Sequence, residues 1–539
     1  SSSGLFYYLV FPFLSSIITI LLVFIYSFRK GQNMANPNNN EAKEKEAYEK
    51  QLNDQERHRR EKLDLYRQRG IDPFGHKFDV NSSAAQLKKD YASLQPEEVK
   101  EDSNVKIAGR IVLLRKMGKA SFLTLQDKTG RIQIYIRQDV VGEENYKVFK
   151  RADLGDICGI EGVRRKTKTG EVTIRATAYT HLVKALRPLP DKFHGLTDPE
   201  DRRRHRYVDL IVNEDSQRIA FRRPKIISGI RRFRDGLGYV EVETPILQPI
   251  LGGANAKPFV THYNALDSDF YLRIATELEL KRLLVGGRER VYEIGRNFRN
   301  EGVDSTHNPE FTSREAYQAY GNLDDRRQRT EDLFHYLAKE IVGKEQFKWL
   351  GYDIDLSKPF KKVTRAGAIK EKIGVDFYQV KTLEEAKELA KKYNVEVEPH
   401  FLWGHILNAF FEKFCEEDLV QPTFVCQHPV DISPLAKKDP NDPRFTQRFE
   451  RYISTHERCN AFTELNDPLD QRARFEEQVE EKKKGNDEAC EVDTDFCEAL
   501  EYGRPPAGGI GYGIDRLCRF FAETDSIRDV LLFPTLKRK

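Results

Sequence analysis

None of the seven cysteines stands in a C-x-x-C pair, and their number is odd. That speaks against a disulfide framework and against a structural zinc site. The expectation is unpaired thiols in a reducing compartment. The chain also lacks an excess of charge of either sign: 89 Lys and Arg face 85 Asp and Glu, a net of +4. Without a global positive field, any contact with nucleic acid has to come from local basic patches. No G-x-x-x-x-G-K-[ST] loop and no Rossmann glycine fingerprint occurs, so a nucleotide site needs another architecture. Internal repeats are missing, and low-complexity sequence is confined to one short linker.

What is present is a chain of 539 residues, 32% charged and 39% hydrophobic. This fits a globular protein of three or four units of roughly 100–200 residues each. Residues 5–28 stand apart as an uncharged, mostly apolar run, long enough for a bilayer that needs about 20 residues. Arg29 and Lys30 follow, so a span would leave the main body in the cytosol. A cleavable signal peptide fits poorly, because no basic residue precedes the run and its apolar core is too long. The first methionine is Met34, and MANPNNN from there reads as an ordinary cytosolic start. We therefore expect residues 1–33 to be an apolar leader foreign to the functional protein, and a cytoplasmic location. A membrane is a partner only if residues 5–28 are a true anchor.

Residues 36–40 form a polar, turn-prone linker. Residues 41–69 are dense in Glu, Lys and Arg and read as a solvated helix or partly disordered arm, with RHRREK at 57–62 facing either water or an RNA backbone. Residues 34–72 are thus a charged helical arm, broken by Gly70 and Pro73. From Val105 the pattern turns to VKIAGRIVLL, ASFLTLQD, RIQIYIRQD, DICGIEGVRR and EVTIRATAYTHL. These are five short strands with a helical stretch at 143–152 before the fourth, which predicts a five-stranded OB barrel within residues 73–190. Phe122 and Tyr135 either stack bases or fill the barrel. The basic run at 202–206 either faces RNA or pairs with acids. Beyond it, residues 218–237 read as an amphipathic helix ended by Gly238, and YVEVETPIL as a strand stopping at Pro245. KTLEEAKELAKK at 381–392 is a helix inside an insertion near 340–420.

Three segments carry chemistry. In YEIGRNFRNEGVDSTHNPEF a strand ends in a turn-rich loop and a second strand begins near Glu310. Arg299 offers a planar charged fork for a phosphate, His307 a second phosphate contact, and Phe311 a flat surface for a purine. In PPAGGIGYGIDRL, Gly508, Gly509, Gly511 and Gly513 allow close backbone approach, and Arg516 follows at the start of a helix. In RFERYISTHERCNAFTELNDP, Glu450, Glu457 and Glu464 are spaced by sevens, yet Tyr452, Ile453, Cys459, Phe462 and Leu465 make the stretch strand-like and buried. Buried carboxylates need cations; magnesium with ATP phosphates and a cationic substrate are natural partners.

Together these residues resemble the class II aminoacyl-tRNA synthetases, specifically the lysyl enzymes. The resemblance runs from about Gly70 to Pro534. It rests on GYVEVETPIL, FRNEGVDSTHNPEF and GYGIDR in the order of the family's three motifs, with LRPLPDKFHGL, GGANAKPF, SPLAK, NAFTELNDP and EYGRPP as lysyl-type phrases. It implies an α+β protein: an N-terminal OB barrel that binds the anticodon, then a class II catalytic domain at 191–539 on a mostly antiparallel sheet flanked by helices. It also implies a homodimer, ATP as substrate, Mg²⁺, L-lysine and tRNA(Lys). Arg299 would hold the α-phosphate and the lysine carboxylate, with Arg299 and Arg516 as the catalytic pair. Glu301, His307, Asn308, Phe311, Glu457, Gly513, Ile514, Asp515 and Arg516 would contact ATP. Glu450 and Glu457 would hold magnesium. Gly253, Glu277, Glu315, Tyr317, Asn460 and Glu464 would hold lysine, and Phe122 and Gln133 would read the anticodon. The lysine carboxylate would attack the α-phosphorus, and the terminal ribose of the tRNA would then take the lysyl group from the adenylate.

The sequence departs from the lysyl pattern at Thr276 (usually Pro), Glu279 (usually Tyr) and Ile510 (usually Trp), and in REAYQAYGNLDD after motif 2. These changes alter the packing around the key polar residues, and so bear on affinity and turnover. Rival readings are a synthetase of the same branch charging aspartate or asparagine, and an inactive paralogue serving as an RNA-binding or scaffold protein. An enzyme lysylating a protein substrate is disfavoured, since such relatives resemble the catalytic domain alone.

Overall fold

The computed structural model describes residues 52–93, 95–190, 196–254, 256–483 and 492–537. The apolar run 5–28, the linker 36–40, the first part of the charged arm and Cys490 lie outside the described residues. Among the described residues no helix is long and apolar enough to cross a membrane. Two compact units divide between residues 193 and 194.

The first unit is a closed barrel. Strands β1 (Val99–Lys116), β2 (Ala120–Asp127), β3 (Gly130–Arg137), β4 (Ile157–Lys166) and β5 (Val172–Val183) close in the order β1-β2-β3-β5-β4. Period-2 alternation sends Leu123, Leu125, Ile132, Ile134, Ile136 and Ile174 inward. The β2–β3 turn forms because Asp127 Oδ1 accepts from the Thr129 and Gly130 amides, at 2.7 and 3.0 Å. The helix Glu143–Lys150 precedes β4 and buries Tyr146 and Phe149 in the barrel core.

The open question about the barrel aromatics is resolved by register. Phe122 stands opposite Tyr135 and Thr124 opposite Gln133, between buried neighbours, so all four side chains lie on the outer face. The Phe122 and Tyr135 rings are 4.8 Å apart.

The described part of the charged arm is not a solvated helix. The helix Asp54–Arg67 starts at a reciprocal Asn53–Glu56 cap and docks on the barrel. Tyr66 is buried and stacks 4.2 Å from His181. Arg59 Nη1 donates to Ala185 O at 2.9 Å, and Lys62 Nζ meets Asp153 at 2.7 Å. The RHRREK run therefore commits Arg59 and Lys62 to the barrel. Composition hid this because one aromatic, one ion pair and one hydrogen bond to a backbone carbonyl suffice to seat an otherwise polar helix.

The second unit contains β6 (Val240–Glu241), β7 (Leu247–Gln248), β8 (Phe259–Tyr263), β9 (Ser268–Leu272), β10 (Arg290–Phe298), β11 (Glu310–Ala319), β12 (Gln346–Trp349), β13 (Tyr352–Asp355), β14 (Lys361–Thr364), β15 (Thr423–Cys426), β16 (Arg448–Ile453), β17 (His456–Thr463) and β18 (Ala507–Gly513). Eight of them form one sheet, in the order β14-β15-β16-β17-β18-β11-β10-β6. It is antiparallel except for the β6–β10 and β14–β15 pairs. Parallel neighbours need a long crossover. The β14–β15 crossover carries the helices Arg365–Ile373, Leu383–Lys392 and Trp403–Phe414 around their own core of Ile369, Phe377, Ile406 and Phe410.

YVEVETPIL is less extended than its alternation predicts. Only Val240 and Glu241 pair as β6, because Thr244 turns its amide and hydroxyl to the Glu293 carboxylate, at 3.1 and 2.7 Å. The expected helix at 218–237 runs Glu214–Asp235, started by Asn213 capping Asp215 and Ser216.

One face of the large sheet packs the main core. Phe449, Ala461, Ile510 and Tyr512 meet Ile226, Ile230, Leu333, Phe334, Phe520 and Phe521 from the helices Glu214–Asp235, Leu323–Tyr336 and Ile514–Ala522. Arg234, Arg314 and Arg451 are fully buried in this same core region. None of their guanidinium nitrogens has a hydrogen-bond partner.

Candidate active site

The opposite face of the sheet carries the site. Glu450, Asn460, Gly511 and Glu315 stand opposite one another on β16, β17, β18 and β11. The neighbouring row is Arg448, Phe462, Gly509 and Tyr317. Directly opposed residues share a face, so antiparallel register alone gathers these side chains from segments far apart in the chain. Gly509 has to be glycine: a Cβ there would overlap Glu464 Oε1 and come within 2.6 Å of the Tyr317 ring. Gly253 has φ +88° and 3.2 Å of room before Ala275 Cβ.

Above these rows lies a cavity of about 360 Å³, lined by Gly253, Glu277, Arg299, Glu315, Tyr317, Arg448 and Asn460 among others. That is the size of a small-ligand pocket. Five of the six residues expected to hold a substrate line it. The sixth, Glu464, is fully buried and reaches the floor beside Gly509. Tyr317 Oη donates to Glu315 Oε2 at 3.0 Å, and the Thr276 amide to Oε1 at 3.4 Å. Burial and the nearby charge of Glu277 push the Glu315 carboxyl up to about 7. Burial also pushes Glu464 up to about 7, against the pull of Lys281 and Arg504. In both cases burial is the main cause, and a carboxylate desolvated in this way is stabilised in its charged form by a cationic ligand.

Sequence reasoning missed the internal cations. Lys281, one helical turn after Glu277, is fully buried; its ammonium contacts Glu277 Oε1 and lies 2.6 Å from Glu464 Oε2. Arg504 Nη1 is 3.7 Å from Glu464. Arg448 donates to Asn460 Oδ1 at 2.9 Å and to Glu450 Oε1 at 2.6 Å, which orients both. Each also has a partner distant in the chain or on the next strand, Glu464 for Lys281 and Arg504 and Asn460 for Arg448, so no local motif marks it as a site residue.

The β10–β11 hairpin presents the second group. Arg299 is half-buried, its amide bonded to Pro309 O at 2.8 Å and its guanidinium 5.2 Å from the Phe311 ring centroid. Burial lowers its pKa from the ordinary value, while Glu301 pulls it back up. Asp304 Oδ1 accepts from the Thr306 and His307 amides, at 2.6 and 2.7 Å, and shapes the loop. His307 Nδ1 is 2.9 Å from Asp304 Oδ2, and His307 Nε2 is 3.0 Å from Arg516 Nη2. Because arginine can only donate, Nε2 accepts and the ring proton sits on Nδ1. Asp304 and its loop bonds thereby tie motif 2 to motif 3 through His307. Asn308 Nδ2 donates to Glu310 O at 2.6 Å, which leaves its buried Oδ1 without a hydrogen-bond partner.

In motif 3 two expected contacts take another form. The Ile514 side chain is fully buried in the main core. Asp515 is buried too; its Oδ2 accepts from the Thr312 amide at 2.7 Å and its Oδ1 pairs with Arg223. Both side chains serve the scaffold that aims Arg516, because the first turn of the helix Ile514–Ala522 has to lock onto β11. Arg516 reaches Glu457 Oε2 at 3.5 Å. The Glu457 carboxyl is raised by burial and by the charge of Glu450. Glu450 itself is held well below the usual carboxylate range by His428, Arg448 and Arg365, against the opposing pull of burial.

A family model for tRNA synthetases class II (D, K and N) matches residues 198–537, and one for an OB-fold nucleic acid binding domain matches residues 105–182. The Lysine--tRNA ligase of Enterococcus faecalis is 56% identical over 497 residues, which cover 92% of this chain and 100% of that protein. The chain belongs to the class II lysine–tRNA ligases. Those of Streptococcus pneumoniae strain CGSP14 and Streptococcus agalactiae serotype V are 57% and 56% identical over 489 residues, 90% of this chain and 99% of each relative. Within this ligase family, the departures at Thr276 and Ile510 sit at the pocket's edge, the Thr276 amide donating to Glu315 and Ile510 contributing to the lining, while Glu279 lies outside it. Thr276 is buried at the start of its helix, Glu279 pairs outward with Arg282 at 3.3 Å, and Ile510 packs into the opposite, core face.

Proposed function

We propose that the chain activates L-lysine with ATP to lysyl-adenylate and transfers the lysyl group to the 3′ end of tRNA(Lys). The observation that carries this reading is the cavity whose lining joins the carboxylates of Glu277 and Glu315 to the guanidinium of Arg299, with the fully buried Glu464 beneath its floor. Desolvated carboxylates suit the ammonium groups of lysine, and Arg299 suits the substrate carboxylate and the α-phosphate. Gly253, Tyr317 and Asn460 complete the amino-acid pocket. A side chain bearing a carboxylate would add negative charge where two carboxyls already sit near 7. That disfavours aspartate as substrate.

Phe311 offers the face for adenine, with Glu301, His307, Asn308, the Gly513 backbone and Arg516 around the nucleotide. Little acid–base chemistry is needed. Positioning of the lysine carboxylate against the α-phosphorus dominates, and orientation of this kind is worth ~7–11 kcal/mol. Among the described residues no group of three or more His, Cys, Asp or Glu side chains is arranged around a metal. Mg²⁺ takes one or two carboxylates and leaves the rest to substrate phosphates. Glu457, ion-paired with Arg516 at 3.5 Å, and Glu450 would hold it. Bound there, it would neutralise charge on the phosphates.

We assign the barrel to the anticodon, with Phe122 stacking a base and Gln133 reading an edge beside it on the outer face. A homodimer and a cytoplasmic location complete the reading; six buried free thiols suit a reducing compartment. The test is lysine-dependent pyrophosphate exchange. Exchange with aspartate or asparagine but not lysine refutes the assignment, and tRNA binding without any exchange points to a binding protein instead.

Two further outcomes are expected. Phe122→Ala weakens tRNA(Lys) charging by roughly 1–3 kcal/mol in binding, as loss of one stacked base does, and leaves lysine activation unchanged; lost activation would overturn the barrel's role. Lysine binding is expected to strengthen as pH rises through about 7 and then level off. Glu315 and Glu464 are largely protonated below that pH and must ionise to meet ammonium groups. Titration calorimetry near pH 7 in buffers of different ionisation enthalpy should therefore register proton release on binding. Proton uptake, or an affinity independent of pH, contradicts it.

A further inference from the structure

Lys281 is fully buried behind the acids that are expected to hold the substrate's ammonium. It sits between Glu277 Oε1 and Glu464 Oε2, with the latter 2.6 Å away. The Phe462 and Tyr317 rings flank it at 5.2 and 5.9 Å. Both Glu464 oxygens lack a hydrogen bond of good geometry; Oε2 lies in ion-pair range of Lys281, whereas Oε1 lies over Gly509, where any side-chain atom would overlap it. One oxygen of Glu464 is thus engaged from behind, and the other is left at the pocket floor. Arg504 adds a second cation 3.7 Å from Oε2, on the side already taken.

We infer that Lys281 is a positioning residue for the substrate's ammonium: by holding Glu277 Oε1 and Glu464 Oε2 on one buried charge, it fixes the two acids relative to each other and presents Glu464 Oε1 to the cavity. A carboxylate pair without this internal cation would repel, turn toward Arg504 or take up a proton, and each of these removes an acceptor from the pocket. Glu315, which takes Tyr317 instead of a cation, then meets the substrate as the acid with uncompensated charge. The inference rests on the lysine-activating reading above and adds to it which residue sets the pocket's geometry.

The test compares Lys281→Met and Lys281→Arg with the full wild-type chain in pyrophosphate exchange, recording KM for lysine and for ATP across pH. Lys281→Met is expected to raise the lysine KM on the order of 10²-fold, as loss of one partner of a buried charge pair does. The ATP KM should stay within about 3-fold, and the midpoint of the pH dependence of lysine KM should move up by about one unit or more. Lys281→Arg keeps the charge but not the single point between two carboxylates. It is expected to raise the lysine KM with the pH midpoint nearly unmoved, and it serves alone if the methionine variant does not fold. A lysine KM unchanged or lowered in either variant, or a Lys281→Met profile with an unmoved midpoint, overturns the inference. If the wild-type chain shows no lysine-dependent exchange, the underlying functional reading fails, and that outcome is seen before any variant is compared.

Discussion

Replacing Arg299 by Ala is expected to cut lysine-dependent pyrophosphate exchange by at least about 10²–10³-fold, the usual cost of removing one preorganised donor from a developing charge, while tRNA binding stays within about twofold of wild type. The guanidinium is held from several sides. Its backbone amide closes on Pro309 O, the next residue's amide bonds Lys257 O at 2.7 Å, and its side chain packs 5.2 Å from the Phe311 ring centroid. It lines the same cavity as Glu277, Glu315 and Asn460. No described side chain forms a close ion pair with it, so its charge is available to an anionic ligand. A loss in kcat and kcat/KM together, with little change in KM, identifies an interaction made mainly in the transition state. Normal exchange in this variant would remove Arg299 from the reaction. Arg299→Lys should recover little, because a point charge cannot supply a bidentate fork.

How much of this was legible in the sequence depends on how local the cause is. The barrel was legible because alternation, the Asp127 turn and the helix before β4 are set by residues within a few positions of one another. The β10–β11 hairpin was legible for the same reason: Arg299, His307 and Phe311 sit in one loop and its two strand ends. Sheet register was not legible, and register is what brings Glu315, Gly511, Asn460 and Glu450 into one row. Lys281, Arg448 and Arg504 were invisible as site residues because a basic side chain in a motif reads as surface charge until its buried partner is known. The docked N-terminal helix failed for the converse reason: its charge pattern was read correctly, but Tyr66 and Lys62 outweigh it by finding specific places on the barrel. Thr276, Glu279 and Ile510 drew attention as departures from the family pattern, yet none of their side chains adds a charge to the pocket.

A larger physical cost falls on unpartnered arginines buried in the core, one of them, Arg314, in the stretch after motif 2. Along β11, Glu315 and Tyr317 face the pocket, so Arg314 and Ala316 face the core. Arg314 is fully buried with its guanidinium 4.8 Å from the Tyr512 ring centroid, and burial pushes its pKa down to about 9. Arg451 lies 3.1 Å from the Phe334 ring centroid, pushed down to about 10 by burial. Arg234 is lowered as well, by burial, and is 5.1 Å from the Tyr239 ring centroid. Aromatic faces return at most about 2 kcal/mol to a desolvated cation, whereas desolvating an ion costs several. These arginines therefore strain the domain that carries the site without touching its pocket. Arg314→Leu, Arg451→Leu and Arg234→Leu are each expected to stabilise the second unit by about 1–4 kcal/mol, the range seen when buried ionic groups give way to well-packed apolar ones. Calorimetric or circular-dichroism melting checks this, with the lysine KM expected to stay within about twofold because the substitutions lie on the core side of the sheet. A fall in stability by more than about 1 kcal/mol would mean that the guanidinium has a partner, such as a buried water or anion, worth more than its desolvation. The two measurements separate the sheet's faces: the pocket face sets which substrate is activated, and the core face sets how much stability remains to hold that pocket in register.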